Sequence, residues 1–380
     1  MRIAFDARIL ARPYTGINAY LEHLVRELVR HGRHELILLS DRPPRPEQQA
    51  LATLVPMAVF GERARRWWPH HALSWYLRRH RVDVYHAVAG DGIPWWAPCP
   101  SLLTWHDLTP LIQPRYFGRW KKRFTYHISH MIERRIARFL ITNSEYTRGM
   151  ILRHFPALAS KVRVIPLGVS AAFQPQPDTP ARRQVLVRCG LNHRPFILSV
   201  PSRLVEPRKN VRRMLEAYGT LRTHLKSPID LVLVGSDLGR PEARAELLNS
   251  CPSPWRADIH IFDSVAQEEL ITLYAAARVC CYPSLLEGFG LPLLESMACG
   301  TPVVASNTSC LPEIAGEAAV LVNPTDVEAL GQALARVVTD DALHQELATR
   351  GLAHARRYSW ARTAEETVAL YEEAVGHHRR

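Results

Sequence analysis

Short apolar runs of strand length alternate along the chain with longer stretches whose apolar positions recur at three and four residues. Residues 3–7 read as a first strand, followed by a loop, RILARPYTGINAY, in which Thr15-Gly16-Ile17 interrupts the pattern. An amphipathic helix then runs to about His31 with Tyr20, Leu21, Leu24, Val25 and Leu28 on its apolar face, and residues 36–39 give a second strand. Strand, glycine loop, helix and strand make a β-α-β unit, the start of a doubly wound sheet. Further strands are predicted at 82–87, 101–105 and 140–144, with Ser144-Glu145 opening a helix. A second series follows at 196–200, 231–235, 260–262 and 319–322, the last leading through Asn323-Pro324-Thr325-Asp326 into a helix that starts near Val327.

Between the two series, residues 170–195 carry prolines at 175, 177, 180 and 195 and read as an interdomain connection. The expected organisation is a domain over 1–170, a linker over 171–195, a second domain over 196–358 and a C-terminal helical segment over 359–380. The fold class is α/β.

The most informative stretch is residues 280–306, CCYPSLLEGFGLPLLESMACGTPVVAS. It reads as strand, glycine loop, helix, turn and strand. In an α/β sheet such a loop gathers strand ends and the N–H groups of a helix start, which suits phosphate. Glu287 and Glu295 bracket the segment, and Gly288 and Gly290 let a ligand approach the backbone. By themselves the two glutamates read as solvated residues and Gly288-Phe289-Gly290 as a tight turn. Arg203 and Lys209 flank a loop before a helix that begins near Asn210, and two cations beside a helix start suit a diphosphate. His106 follows the strand at 101–105; taken alone it reads as a packed or capping residue, and Gly16 as a turn glycine.

Composition narrows the picture. The 380 residues with 47% hydrophobic content suffice for two cores. No apolar run reaches the roughly 18 residues of a membrane span, and the N-terminus enters a strand without a signal-peptide pattern, so a cytoplasmic protein is expected. Seven cysteines without a C-x-x-C pair indicate neither a disulfide framework nor a zinc site. Residues 1–170 carry 26 Lys and Arg against 12 Asp and Glu, leaving 22 against 24 for the rest, so the first half holds the whole basic excess. Within it, 61–82 and 114–139 mix Arg and Lys with aromatics, including Lys121, Lys122 and Arg123. Such segments fit an anionic membrane surface, or a core-facing helix with a solvated basic face. No nucleic-acid motif accompanies the charge.

The segment EGFGLPLLE followed by MACGTPVVAS closely resembles the donor-site signature of retaining glycosyltransferases of the GT-4 family. The resemblance implies the GT-B fold, two Rossmann-like domains facing across a cleft, with the strand region KVRVIPLGV closing the first domain and a C-terminal helix crossing back to it. It implies a nucleotide-sugar donor, with Glu295 on the ribose, Arg203 and Lys209 on the diphosphate, and Glu287 on hydroxyls of the donor sugar. Backbone N–H groups near Phe289, Gly290 and Leu291 would fix sugar and phosphate, Gly16 would face the phosphates, and His106 would reach the sugar. The family usually has glycine before its arginine, whereas Pro201-Ser202 stand here. No cofactor and no metal are expected, since the cations and helix dipoles neutralise the leaving group and no D-x-D motif is present. The EPRKN and EGFGLP segments look most like bacterial mannosyltransferases of polysaccharide and lipopolysaccharide assembly, with GDP-mannose as the first donor, a UDP-hexose as the second, and a glycan or lipid-linked acceptor. The alternative from another class is a non-catalytic GT-B protein that binds a sugar nucleotide or tethers an assembly to the membrane.

Overall fold

The computed structural model describes residues 1–61, 71–90, 92–108, 131–191, 194–236 and 241–378. The chain forms two compact units, one of Met1–Gly168 with Ser359–Arg380 and the other of Val169–Tyr358.

In the first unit, the described strands are β1 Arg2–Asp6, β2 Glu35–Ser40, β3 Met57–Val59, β4 Val84–Ala87, β5 Ser101–Thr104, β6 Phe139–Thr142 and β7 Val162–Val164. They form a seven-stranded sheet in the order β3-β2-β1-β4-β5-β6-β7, paired in parallel throughout. Strands β4 and β6 are buried along their whole length, as in a parallel sheet covered on both faces. The helix Gly16–His31 buries Tyr20, Leu21, Leu24, Val25 and Leu28, the face that the spacing predicts. Gly16, expected in the loop, is instead its first residue. The turn closes one position earlier because the Thr15 amide donates to Asn18 Oδ1 at 2.9 Å and the Thr15 hydroxyl to the same oxygen at 2.8 Å.

The C-terminal helix Trp360–His378 belongs to this unit, buried along Thr363, Ala364, Thr367, Tyr371 and Ala374. The Thr363 hydroxyl donates to Pro166 O at 2.8 Å. Gly168 admits this approach: a Cβ there would lie 2.1 Å from the Trp360 amide nitrogen. Predicted helical segments 61–82 and 114–139 are described only in part. The helix Leu73–Arg79 is present, while 62–70 and 109–130, with Lys121, Lys122 and Arg123, lie outside the described residues.

The second unit contains β8 Phe196–Arg203, β9 Asp230–Ser236, β10 Ile259–Phe262, β11 Val279–Tyr282, β12 Val303–Ser306 and β13 Val320–Val322. Among the described residues they make a six-stranded parallel sheet in the order β10-β9-β8-β11-β12-β13. The order reverses between β8 and β11, as it does between β1 and β4 in the first unit. Those switch points open crevices at the carboxyl ends of the strands.

Residues 171–195, expected as a linker, are part of this second unit. Thr179 caps a helix over Pro180–Arg188. Arg182 donates to Gln176 O at 2.7 Å and to Ala275 O at 2.9 Å, which binds the segment to the helix Gln267–Ala276. The prolines thus mark turns in packed chain, because the polar groups of the segment find partners in the domain. Among the described residues no helix is long and apolar enough to cross a membrane.

Candidate functional site

Two loops of the second unit meet at the β8/β11 switch point. The first leaves β8 and makes a 3-10 turn over Pro207–Lys209. The second leaves β11 and ends at Gly290, where the helix Leu291–Ala298 begins. Gly290 has φ +104°, so the backbone there requires glycine. The amide of Leu285 donates to Arg208 O at 2.7 Å, joining the two loops through their backbones. Asn210, at φ +59°, does not cap its own helix; its side-chain amide donates to Pro283 O at 3.0 Å and to Pro324 O at 2.7 Å, pinning three loops together.

At this junction stands an ion cluster. Lys209 Nζ lies 2.6 Å from Glu287 Oε1, and Arg208 Nη1 lies 3.1 Å from Glu287 Oε2. Lys209 is only 6% exposed and Glu287 8%. Burial pushes the Glu287 carboxyl up, but Lys209 and Arg208, with hydrogen bonds from Lys209 and Ser284, more than reverse this and hold it at about 2. Burial, and next the charge of Glu287, push the phenol of Tyr282 up. The backbone of the glycine loop is fixed from a further side. Ser309, at φ +58°, accepts the Glu287 amide at 3.3 Å, and Cys310 Sγ lies 3.2 Å from both Glu287 O and Phe289 O.

Glu295 behaves oppositely. It lies on the helix Leu291–Ala298, with the Tyr274 hydroxyl donating to Oε2 at 2.9 Å. Burial pushes its carboxyl up to about 7 against the pull of that hydrogen bond. Burial and the Tyr274 hydroxyl set this value with no cation pulling it down, and this separates the two glutamates of the motif. A folded-state value above the ordinary 4.5 means that Glu295 favours folding while protonated and that this contribution is lost as pH rises from 4.5 through about 7.

Arg203 is exposed at the end of β8. The residue before it, Ser202, takes φ +56° where the register between β8 and β9 shifts. That is the conformation a glycine adopts freely, so serine holds it at a cost in strain. Phe289 is buried against Tyr358, their ring centroids 6.0 Å apart, and Leu291 is the first helical residue.

The first unit holds His106 and Gly16. His106 Nε2 lies 2.8 Å from Val88 O, and since a carbonyl can only accept, Nε2 carries the proton. Nδ1 then accepts from Asn143 Nδ2 at 2.8 Å. Burial lowers the pKa of this imidazole, against the pull of Val88 and Asp107, consistent with a neutral ring whose two nitrogens are both engaged. The structure thus brings together Lys209, Glu287 and the Phe289-Gly290-Leu291 turn. Sequence reasoning missed Arg208, Asn210 and Asn143. Arg208 stood in plain view beside Lys209, and Asn210 carried a helix-start signal, but their partners lie more than seventy residues away.

Residues 189–354 match the family Glycosyl transferases group 1, and residues 14–173 match Glycosyltransferase Family 4. The O-antigen chain mannosyltransferase B of Escherichia coli is 30% identical over 98% of this chain and the whole of that protein. The Escherichia coli serotype-specific mannosyltransferase WbdA is 30% identical over 76% of this chain, a match that spans 35% of that longer protein. In fold, the chain is similar to HepE of Anabaena, solved in complex with UDP-glucose, with a TM-score of 0.78 over 98% of this chain and all of that one, at 18% identity. These matches, on a chain of two Rossmann-like parallel-sheet units, show that it belongs to the group 1, family 4 glycosyltransferases with the GT-B fold.

Proposed function

We propose that this glycosyltransferase transfers a hexose, with retention, from a nucleotide-sugar to a glycan or lipid-linked acceptor of cell-surface polysaccharide. GDP-mannose is the first donor and a UDP-hexose the second. The observation that carries the reading is the buried Lys209–Glu287–Arg208 cluster at a switch-point glycine loop, with an isolated carboxylate, Glu295, further along the same helix-loop segment. The mannosyltransferase names of its relatives support the choice of sugar.

In this reading Lys209 and Arg203 neutralise the departing diphosphate, and backbone N–H groups near Phe289, Gly290 and Leu291 bind phosphate and sugar. Glu295 accepts hydrogen bonds from the ribose hydroxyls, and Glu287 sits at the sugar end of the site. In the first unit His106 is a neutral, rigidly held ring, and Gly16 starts a helix. The acceptor hydroxyl attacks from the face the diphosphate leaves, and a diphosphate oxygen takes its proton, so no protein nucleophile is required. The cations do the work that a metal would otherwise do. A peripheral membrane contact is supported by Trp75, Trp95 and Trp96, which are 63%, 46% and 62% exposed, and by the exposed Arg78 and Arg79 on the helix that carries Trp75.

The test is a thermal-shift and calorimetric screen of GDP, UDP, ADP and their hexose conjugates across pH. One nucleotide should bind, and its affinity should strengthen as pH rises through about 7, because Glu295 must ionise to accept from a diol. Glu295→Gln should weaken binding about tenfold and flatten that pH dependence. Binding by no nucleotide would refute the donor site; binding that ignores pH in the native protein would refute the ribose role.

A further inference from the structure

Each oxygen of the Glu287 carboxylate meets a cation. Lys209 Nζ donates to Oε1 at 2.6 Å and Arg208 Nη1 to Oε2 at 3.1 Å. A carboxylate held from both sides is suited to holding its neighbours in place.

Arg208 occupies the centre of this arrangement. Its Nε donates to Glu206 Oε1 at 2.6 Å, and its Nη1 donates both to Glu287 Oε2 and to Leu286 O at 3.2 Å. One planar guanidinium therefore ties its own loop to the backbone and the side chain of the glycine loop. Its side chain is 16% exposed. Lys209, by contrast, spends one of the three N–H donors of an ammonium on Glu287 and keeps the rest available to an anion.

We propose that Arg208 is a positioning residue for the donor: it fixes the Glu287 carboxylate, and through it sets the Lys209 ammonium where the diphosphate binds. The proposal rests on the donor-site reading above. A lysine could supply the charge of Arg208 but not its fork, because a single nitrogen cannot meet Glu206, Leu286 and Glu287 together. The charged and titratable groups around Glu287 are Lys209 and Arg208 from the β8 loop, Tyr282 at the end of β11, and Cys310 from the loop after β12.

The experiment measures binding of the nucleoside diphosphate found to bind the native protein, by calorimetry between pH 4.5 and 8, for the native protein, Arg208→Met and Arg208→Lys. Arg208→Met should weaken binding about ten- to a hundredfold at pH 8. Its ratio to the native affinity should worsen further toward pH 4.5, because Glu287 without Arg208 takes up a proton at higher pH. Arg208→Lys should weaken binding by a smaller factor that does not change with pH. A merely structural arginine would lower the melting temperature and leave the pH dependence of that ratio flat, which would overturn the proposal. So would native affinity in either variant. If Arg208→Met does not fold, Arg208→Lys decides alone: native affinity overturns the proposal, and a pH-independent loss supports it. Absence of nucleotide binding in the native protein would sink the donor-site reading itself, whereas binding there with unaltered variants sinks only the role of Arg208.

Discussion

The two switch points share a topology and differ in how they are stitched. At β1/β4 the charged pair is local: Arg8 Nη2 meets Asp6 Oδ2 at 2.6 Å, two residues away, and stiffens one turn. Long-range connection there is made by neutral groups. His86 Nδ1 lies 2.6 Å from the hydroxyl of Tyr371, 285 residues on, and His86 Nε2 lies 2.7 Å from the Thr104 hydroxyl, which in turn bonds Tyr20 at 3.2 Å. At β8/β11 the neutral bonds of Asn210 are joined by ionic ones, with Lys209 and Arg208 reaching Glu287 across 78 and 79 residues. A neutral network is satisfied internally and serves to hold the C-terminal helix to its sheet. Here Lys209 and Arg208 are matched by Glu287 and Glu206, and Lys209 keeps N–H donors that an anionic ligand can use. The fold therefore sets where a crevice lies, and the side chains at it set what it can bind.

That contrast can be broken most forcefully at Glu287. Glu287→Gln removes the counter-charge of the buried Lys209 and one of the two carboxylates on Arg208, and should cost about 3–5 kcal/mol of stability, read by urea denaturation, together with turnover. A loss under 1 kcal/mol would mean that the cluster contributes little to the second unit.

Acid should then separate the two regions. Burial lowers the His86 pKa from 6.5 to about 3, so its contribution is present above 6.5 and lost as pH falls toward 3. Glu287 is lowered from 4.5 to about 2, so its contribution persists down to 4.5, and Glu295, raised to about 7, favours the second unit as pH falls over the same range. Between pH 6.5 and 4.5, corrected for intrinsic exchange rates, β4 and the helix Trp360–His378 should lose hydrogen-exchange protection while β11 and the helix Leu291–Ala298 keep theirs. Equal loss in both would erase the distinction.

Smaller effects sharpen it. Tyr371→Phe leaves His86 Nδ1 without its partner and should cost about 1–2 kcal/mol while nucleotide affinity stays native. A changed affinity would show that the first-unit network reaches the donor site. Ser202→Gly relieves the φ +56° backbone and should gain about 0.5–1 kcal/mol, measured by the same denaturation.

The sequence by itself determined a good deal. The alternation of strand-length and helix-length apolar patterns specifies two doubly wound sheets, because strand and helix periods are local properties of a few consecutive side chains. The spacing of Glu287 and Glu295 around Gly288 and Gly290 marks the glycine loop for the same reason. Pairing across distance was not legible. No local pattern tells that Lys209 and Arg208 share Glu287, that Asn210 binds the carbonyls of Pro283 and Pro324, or that Asn143 holds His106. Nor does spacing distinguish the two motif glutamates, one held at about 2 and the other raised to about 7. Local periodicity writes the elements into the chain, whereas burial and the company of charges exist only once distant loops are packed together, and those decide protonation and chemistry.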